Sequence, residues 1–318
     1  MVSGFVSIIG RPNAGKSTLL NALVGEKLAI VTPKPQTTRT RIQGILNVKA
    51  GKERPAAQIV FIDTPGVHRP DSRLNRKMLQ EIHEALESRD LVLLIVDASE
   101  KFGPGDQQAL ELIMQHMGER LVTRPDVGQR PSSAANRVFL LLNKIDKIPK
   151  QNLLPLMEEW NRRHEFQEII PVSAKTGAGL DVLLDKIIQA LPRGPRYFPE
   201  DQVTDQPERF LSAEIIREQI LRKTGKEVPY SIAVMVERLE ELEKLIRIAA
   251  TIYCEREGQK GIIIGKRGEH LKEIGTAARL EMERLLGKKV FLELHVKVKP
   301  GWRDSQAFVE ELDWRAER

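Results

Sequence analysis

An α/β fold with a doubly wound, mostly parallel sheet, followed by a smaller α+β domain, is predicted by three observations. Up to about residue 190, short apolar runs alternate with longer segments of helical period. The stretch LPRGPRYFP at 191–199 then interrupts this alternation with three prolines and a glycine. Beyond it the order of elements changes to helix, two strands, two helices and a strand. The length of 318 residues agrees, because one hydrophobic core rarely fills a chain of that size.

The runs FVSIIG (5–10), AQIVFID (57–63), LVLLIVD (91–97), RVFLLLN (137–143) and EIIPVS (168–173) are predominantly apolar, as strands covered by helices on both faces must be. Segments 16–24, 72–88, 105–118, 150–163 and 179–190 carry the helical period between and after them. RIQGILNV at 41–48 suits an antiparallel edge strand. Residues 1–191 are therefore expected to form the first domain, 192–203 a linker and 204–318 the second domain. In the latter we expect a helix at 207–224, strands at 229–238 and 245–254, a short helix, the turn GKRG, a helix at 268–286, a strand at 289–299 and a tail helix after 302. The polar, turn-rich stretch 123–137 reads as a mobile surface insertion.

Composition narrows the class. Hydrophobic residues at 41% and charged residues at 30% describe a globular protein, and no apolar stretch is long enough to span a bilayer. MVSGFVSIIG lacks the basic flank and cleavage site of a signal peptide, so a cytoplasmic location is expected. Cys254 is the only cysteine, which excludes an internal disulfide and a thiolate metal cluster; it reads as a buried strand residue. The six histidines show no metal-ligand spacing. A net charge of +6 is modest, but residues 256–303 hold twelve lysines and arginines against six glutamates. That local excess suits a polyanionic partner.

The sequence GRPNAGKST at 10–18 follows the first apolar run and satisfies G-x-x-x-x-G-K-[ST]. In such a loop Gly10, Arg11, Pro12, Asn13, Ala14, Gly15, Lys16, Ser17 and Thr18 wrap phosphates. The amides and the helix N-terminus supply positive potential, Lys16 reaches the β/γ oxygens, and Ser17 binds Mg²⁺. The fold is thus read as a P-loop NTPase. DTPG (Asp63, Thr64, Pro65, Gly66) ends another strand, where Asp63 can hold the Mg²⁺ shell and the Gly66 N–H can meet a γ-phosphate. NKID ends the strand at 137–143, and its geometry selects guanine: the Asp146 carboxylate accepts from N1 and N2, an arrangement adenine does not offer. Asn143 would meet the guanine edge and tie the loops together, and the Lys144 stem would cover the base. Ser173, Ala174 and Lys175 (SAK) follow a further strand end and supply an amide for guanine O6. GTP and GDP are therefore the expected ligands.

GRPNAGKSTLLNALVG together with PQTTRTR at 35–41 resembles the Era group of translation-factor-like GTPases. The resemblance implies that Thr37 or Thr38 binds Mg²⁺ in the GTP state, with the alignment favouring Thr38. Ras-type enzymes orient water with a glutamine just after DxxG. Here that position is Val67, whose side chain cannot hydrogen-bond to water, so slow intrinsic turnover is expected. In related GTPases an asparagine at the place of Asn13 helps hold K⁺, which neutralises charge between the phosphates. K⁺-stimulated hydrolysis, with Asn13, Lys16, Thr38 and Gly66 as the catalytic set, is the expectation; His68 is a weak rival base.

GIIIGKRGEHLKEIG at 261–275 places a G-x-x-G turn between two helices. Small residues at its ends admit a nucleic-acid backbone, and Lys266 and Arg267 aim charge at the phosphates. The order of elements resembles a type II KH domain, with Ile264, Gly265, Lys266, Arg267 and Gly268 as the RNA contacts. Ile262, Ile263 and Ile264 divide between core and the apolar floor under the bases. Tyr230, Tyr253, Phe291 and Trp302 are expected to pack rather than stack on RNA, and single strands are the expected substrate.

A GTPase domain followed by a type II KH domain resembles Era proteins along essentially the whole chain. The resemblance implies a monomer that binds the single-stranded 3′ end of small-subunit ribosomal RNA and assists assembly of that subunit, RNA stimulating its GTPase. It also implies occasional peripheral association with the inner face of the cell membrane. The turn KAGKERPAA (49–57) and the 123–137 insertion depart from the family pattern without touching a motif. Competing readings are an ATP-dependent kinase, opposed by NKID, a tRNA-modifying GTPase, which lacks a suitable cysteine, and an RNA-binding scaffold holding GTP structurally.

Overall fold

The computed structural model describes residues 1–34, 36–51, 54–67, 71–87, 89–123, 137–225, 228, 231–313 and 315. It divides into two compact units, the first comprising 1–29, 38–69 and 78–205, the second 30–37, 70–77 and 206–318.

The first unit alternates strands and helices: β1 (Val2–Ile9), α1 (Lys16–Val24), β2 (Ile42–Val48), β3 (Ala57–Asp63), α2 (Arg73–Glu87), β4 (Leu91–Asp97), α3 (Pro104–Thr123), β5 (Val138–Asn143), α4 (Leu153–Asn161), β6 (Glu168–Pro171) and α5 (Leu180–Ala190). The start of α2, up to residue 77, is grouped with the second unit. The six strands lie in the order β2-β3-β1-β4-β5-β6. All neighbours are parallel except β2 and β3, so 42–48 is the antiparallel edge expected of it. Every residue of β3, β4 and β5 is buried, which explains their lack of an alternating pattern. β1 sits between β3 and β4, so the chain turns opposite ways on its two sides. The crevice beyond the carboxyl end of β1 is where such sheets bind ligands.

The stretch expected as a linker groups with the first unit. Gln58 on β3 accepts from the Tyr197 and Phe198 amides (2.7 and 3.0 Å) and donates to the Phe198 carbonyl (2.8 Å). The Ile45 amide donates to the Val203 carbonyl (2.8 Å), so this segment lies along the β2 edge, whose unpaired groups it satisfies. The insertion at 124–136 and His68 lie outside the described residues, as do Lys52 and Glu53 of the 49–57 turn.

The second unit continues with α6 (Glu208–Lys223), β7 (Ala233–Glu241), β8 (Leu245–Cys254), α7 (Glu257–Ile264), α8 (Glu269–Leu286), β9 (Lys289–Val298) and α9 (Gln306–Glu311). β7 starts later than the sequence suggests and bulges between Val236 and Arg238; Tyr230 is outside the described residues. β8 pairs antiparallel with β7 and parallel with β9. Ile274, Ala278 and Met282 recur every fourth residue along α8, and all three are fully buried. Removing a side chain the size of Ile274 or Met282 from water contributes about 2 kcal/mol each. Cys254 is buried in β8, and the Trp302 indole N–H donates to the Ser231 carbonyl at 3.0 Å. Phe291 does not pack as expected: it is 49% exposed on β9, with the Arg247 guanidinium 5.4 Å from its ring.

Two further segments belong to this unit. On 30–37, the Val31 amide donates to the buried Glu218 carboxylate (3.0 Å), Arg222 donates to the Val31 carbonyl (3.2 Å), and Arg217 donates to the Thr37 carbonyl. On 70–77, the Arg73 amide donates to Asp304 (3.1 Å) and Lys77 pairs with Asp313 at 3.0 Å. Arg217 and Glu218 lie inside α6 at 2% and 0% exposure, and these contacts, with the ion pairs to Glu214 and Arg222, offset part of the cost of burying their charges.

Candidate nucleotide and nucleic-acid sites

The loop from β1 to α1 is held by its own backbone. Gly15 caps α1 with φ 106° and Asn13 lies at φ 62°, a left-handed conformation that asparagine tolerates better than most residues. Lys16, 6% exposed, donates to the carbonyls of Gly10 (2.9 Å) and Arg11 (3.0 Å). The Arg11 side chain points away, to Glu100 (2.7 Å) and Asp106 (3.2 Å). Ala14 is buried, while Pro12 stands against Gly66.

Ser17, Thr38 and Asp63 converge. Ser17 Oγ lies 2.6 Å from Asp63 Oδ2 and 2.8 Å from Thr38 Oγ1, which is itself 3.5 Å from Asp63 Oδ2. The Thr37 hydroxyl instead donates to the Lys34 carbonyl (2.6 Å) and lies 2.8 Å from the Thr32 hydroxyl. Burial pushes the Asp63 carboxyl up to about 6, against the opposing pull of Lys16 and of the Ser17, Thr38 and Thr64 hydrogen bonds. Burial likewise pushes Lys16 down to about 8, against the attraction of Asp63. Asp63 Oδ1 is buried without a hydrogen-bond partner among the described residues. A hard divalent cation fits this set of oxygens, one of them orphaned and anionic, and a phosphate chain would neutralise Lys16.

Thr64 anchors the DTPG turn by donating to the Ile8 carbonyl (2.8 Å). The Val67 amide donates to the Gly10 carbonyl (3.2 Å), and its side chain is buried in the core between sheet and helices. Val67 thus contributes packing where a glutamine would contribute a hydrogen bond.

Asn143 is the tie between loops. Its Nδ2 donates to the Ala14 carbonyl (2.8 Å) and its Oδ1 accepts from the Ala174 amide (3.0 Å), so one buried amide joins the first loop, NKID and SAK. Asp146 is exposed, and its Oδ1 accepts from Ser173 Oγ at 2.6 Å. That bond holds the carboxyl below its ordinary value, so it is ionised at neutral pH. Lys144 has φ 65° and pairs with Asp97. Lys175 is exposed beside them. Sheet register accounts for the assembly, because these loops all leave the carboxyl ends of parallel strands.

In the second unit, α7 ends at Gly265 (φ 72°, ψ 179°), a conformation essentially confined to glycine, and Arg267 and Gly268 follow with positive φ. A Cβ on Gly265 would come within 2.5 Å of His270 Cβ. The His270 ring lies across the turn, its Nδ1 2.7 Å from the Ile262 carbonyl. Lys266 and Arg267 are exposed at the tip. Beside them runs an open groove lined by Gly268, Leu271, Lys272, Gly275, Thr276, Arg279, Leu292 and Leu294. Its apolar floor and cationic rim suit unstacked bases and phosphates. Ile263 is core, whereas Ile262 is 42% exposed and Ile264 partly so. Sequence reasoning missed Leu271, Leu292 and Leu294, whose only signal is the apolar side of α8 facing an equally apolar β9.

A P-loop nucleotide site with guanine-selecting loops, joined in one chain to an αββααβ fold with a glycine-flanked cationic turn, defines a GTPase with a type II KH domain. Residues 5–124 match the family described as 50S ribosome-binding GTPase, and residues 227–303 match the KH domain family. The chain is 49% identical to GTPase Era of Geobacter metallireducens over 98% of its own length and 97% of that protein. Against GTPase Era of Syntrophus aciditrophicus it is 48% identical over 98% and 95%. Among solved structures, Era in complex with MgGDPNP and nucleotides 1506–1542 of 16S ribosomal RNA is 42% identical, with TM-score 0.86 and 98% of both chains covered. Aquifex aeolicus Era bound to GDP·AlF4⁻ gives the same values. The chain belongs to the Era family of GTPases, and it hydrolyses GTP to GDP and phosphate.

Proposed function

We propose that this GTPase binds the single-stranded 3′ end of small-subunit ribosomal RNA and assists maturation of that subunit, with GTP as the switch. The observation that carries the proposal is the full-length likeness to an Era protein solved with nucleotides 1506–1542 of 16S ribosomal RNA. The groove beside the GKRG turn supports it with a matching chemistry, apolar under the bases and cationic at the rim. Gly265 and Gly268 would admit the RNA backbone, with Ile264 beneath it and Lys266 and Arg267 against its phosphates.

In this reading Mg²⁺ is held by Ser17 and Thr38, with Asp63 ordering its shell, and it supplies charge neutralisation at the β- and γ-phosphates. Thr38 suits the role better than Thr37, whose hydroxyl is taken up within its own turn. Asn13 would hold K⁺ beside the phosphates in place of an arginine finger. Equal hydrolysis rates in KCl and NaCl, with Asn13→Asp unchanged in both, would remove the ion from the scheme. Peripheral attachment to the inner face of the cell membrane would rest on surface contact, since no helix among the described residues is long and apolar enough to cross a bilayer.

GTP would act on RNA binding through the segments around 32–40 and 66–75. Thr38, at the metal site, follows Thr37, whose carbonyl Arg217 holds to α6. A ligand that fixes Thr38 therefore biases the segment attached to α6, and linkage requires RNA to tighten GTP binding by the same factor. The test is the affinity of the full chain for an oligonucleotide matching the RNA 3′ end, at fixed salt, with a GTP analogue, with GDP and without nucleotide. Preference for the GTP-analogue state is expected. Lys266→Ala with Arg267→Ala should weaken binding by roughly 30-fold or more, two phosphate contacts being lost. Weak binding, indifferent to nucleotide and to both substitutions, would return the protein to the class of GTPases that act on another partner.

A further inference from the structure

We propose that Asp97 is a positioning residue of the nucleotide site, holding the Lys144 ammonium so that the Lys144 stem stays over the base and slows nucleotide release. The inference rests on the reading that a guanine base sits between NKID and SAK.

Asp97 is the last residue of β4 and lies in register with Asn143, the last residue of β5. The Ala98 amide donates to the Asn143 carbonyl at 2.8 Å, which locks the two strand ends together. From this place Asp97 Oδ2 meets Lys144 Nζ at 2.5 Å. The carboxylate is itself fixed, because its Oδ1 accepts from the Ser99 amide (3.0 Å) and from Ser99 Oγ (2.6 Å). Its side chain is 4% exposed, against 25% for Lys144. Burial alone would favour the neutral acid, but Lys144 and the two Ser99 donors outweigh it and hold the carboxyl below its ordinary value.

Lys144 needs such a partner. It sits at φ 65° and ψ 34°, where a non-glycine residue is disfavoured, and its four-carbon stem is flexible. Asn143 fixes the backbone just before it, through Ala14 and Ala174. Nothing in that arrangement fixes the direction of the stem. The Asp97 carboxylate does, because pinning the ammonium at one end and the strained backbone at the other leaves the methylenes one course between them. An apolar stem so held presents a flat contact to a purine face without losing rotamer freedom on binding.

The experiment measures release of a fluorescent GDP from the full chain. Asp97→Asn keeps the shape and the acceptor for Ser99 but removes the charge. It should speed release by roughly 5-fold, the upper end of the range for a partly exposed ion pair. Lys144→Ala should speed release at least as much, and Asp97→Asn added to it should change the rate by less than about 2-fold, as expected when both act through one contact. Ser99→Ala, a milder change that loosens the carboxylate, should give a smaller acceleration and decides the matter if Asp97→Asn does not fold. Unchanged release in both Asp97→Asn and Ser99→Ala overturns the proposal. So does an Asp97→Asn effect that persists in full beside Lys144→Ala, since Asp97 would then act on the fold generally. Competition of GDP against ADP on the unsubstituted protein separates the two levels. Loss of guanine preference there overturns both readings, and a kept preference with unchanged release overturns this one alone.

Discussion

Replacing Asp146 by Asn is expected to weaken GTP binding by roughly three orders of magnitude and to create affinity for the xanthine nucleotide. Guanine offers two adjacent donors, and an ionised carboxylate accepts both. Hydrogen bonds to charged groups contribute about 1.5–3 kcal/mol each, so losing the pair amounts to about 10³ in affinity. Ser173 keeps Asp146 charged and aimed by donating to Oδ1 at 2.6 Å, and Ala174 is placed through Asn143. In xanthine a carbonyl replaces the N2 amine, so an asparagine amide donates where the aspartate accepted. Competition titrations with GTP, XTP and ATP against a fluorescent nucleotide measure all three. If Asp146→Asn binds GTP as tightly as the parent, the base does not sit at NKID.

Much of this site was legible because its motifs sit at strand ends. A parallel strand buried on both faces is recognisable by its apolar run, and the loop that follows it must lie at the ligand edge of the sheet. GRPNAGKST, DTPG, NKID and SAK are therefore legible as one site from the strand pattern. The helix expected at 268–286 is α8, whose buried face carries Ile274, Ala278 and Met282. Asp97 was missed because it belongs to no motif: a carboxylate closing LVLLIVD reads as an ordinary strand end until the β4–β5 register sets it beside Lys144. The grouping of 30–37 and 70–77 with the second unit was equally hidden, since Arg217 and Glu218 look like exposed helix charges until their partners are known. Proline and glycine at 191–199 suggested a linker over 192–203, within which Gln58 holds the Phe198 backbone and Ile45 the Val203 carbonyl. Local sequence reports turns and periods, and long-range hydrogen bonds decide what those turns lie against.

Gly66→Ala should reduce single-turnover GTP hydrolysis by about 100-fold while weakening GDP binding much less. Gly66 is not among the residues with positive φ, so the backbone conformation itself does not require glycine. Space does. A Cβ at 66 would stand 2.7 Å from Pro12 Cγ and 2.8 Å from both Pro12 Cα and Pro12 N. Two of these atoms are backbone, and rotation of a side chain cannot move them. Either the first loop or DTPG must shift, straining the Val67 amide bond to the Gly10 carbonyl that joins them. Inserting a methyl group into such a contact costs about 1–3 kcal/mol, and displacing a catalytic group by about 1 Å costs on the order of 10² in rate. GDP lacks the γ-phosphate that the Gly66 amide would meet, so its affinity should fall only a few-fold, as far as the first loop itself is strained. Truncating Pro12 to Ala in the same chain distinguishes the origin of the clash. It removes Cγ but leaves Cα and N in place, so it should not restore hydrolysis. Recovery of the parent rate in that double variant would mean that the ring alone excludes a side chain at 66, and that the approach of the two backbones is not what the glycine serves.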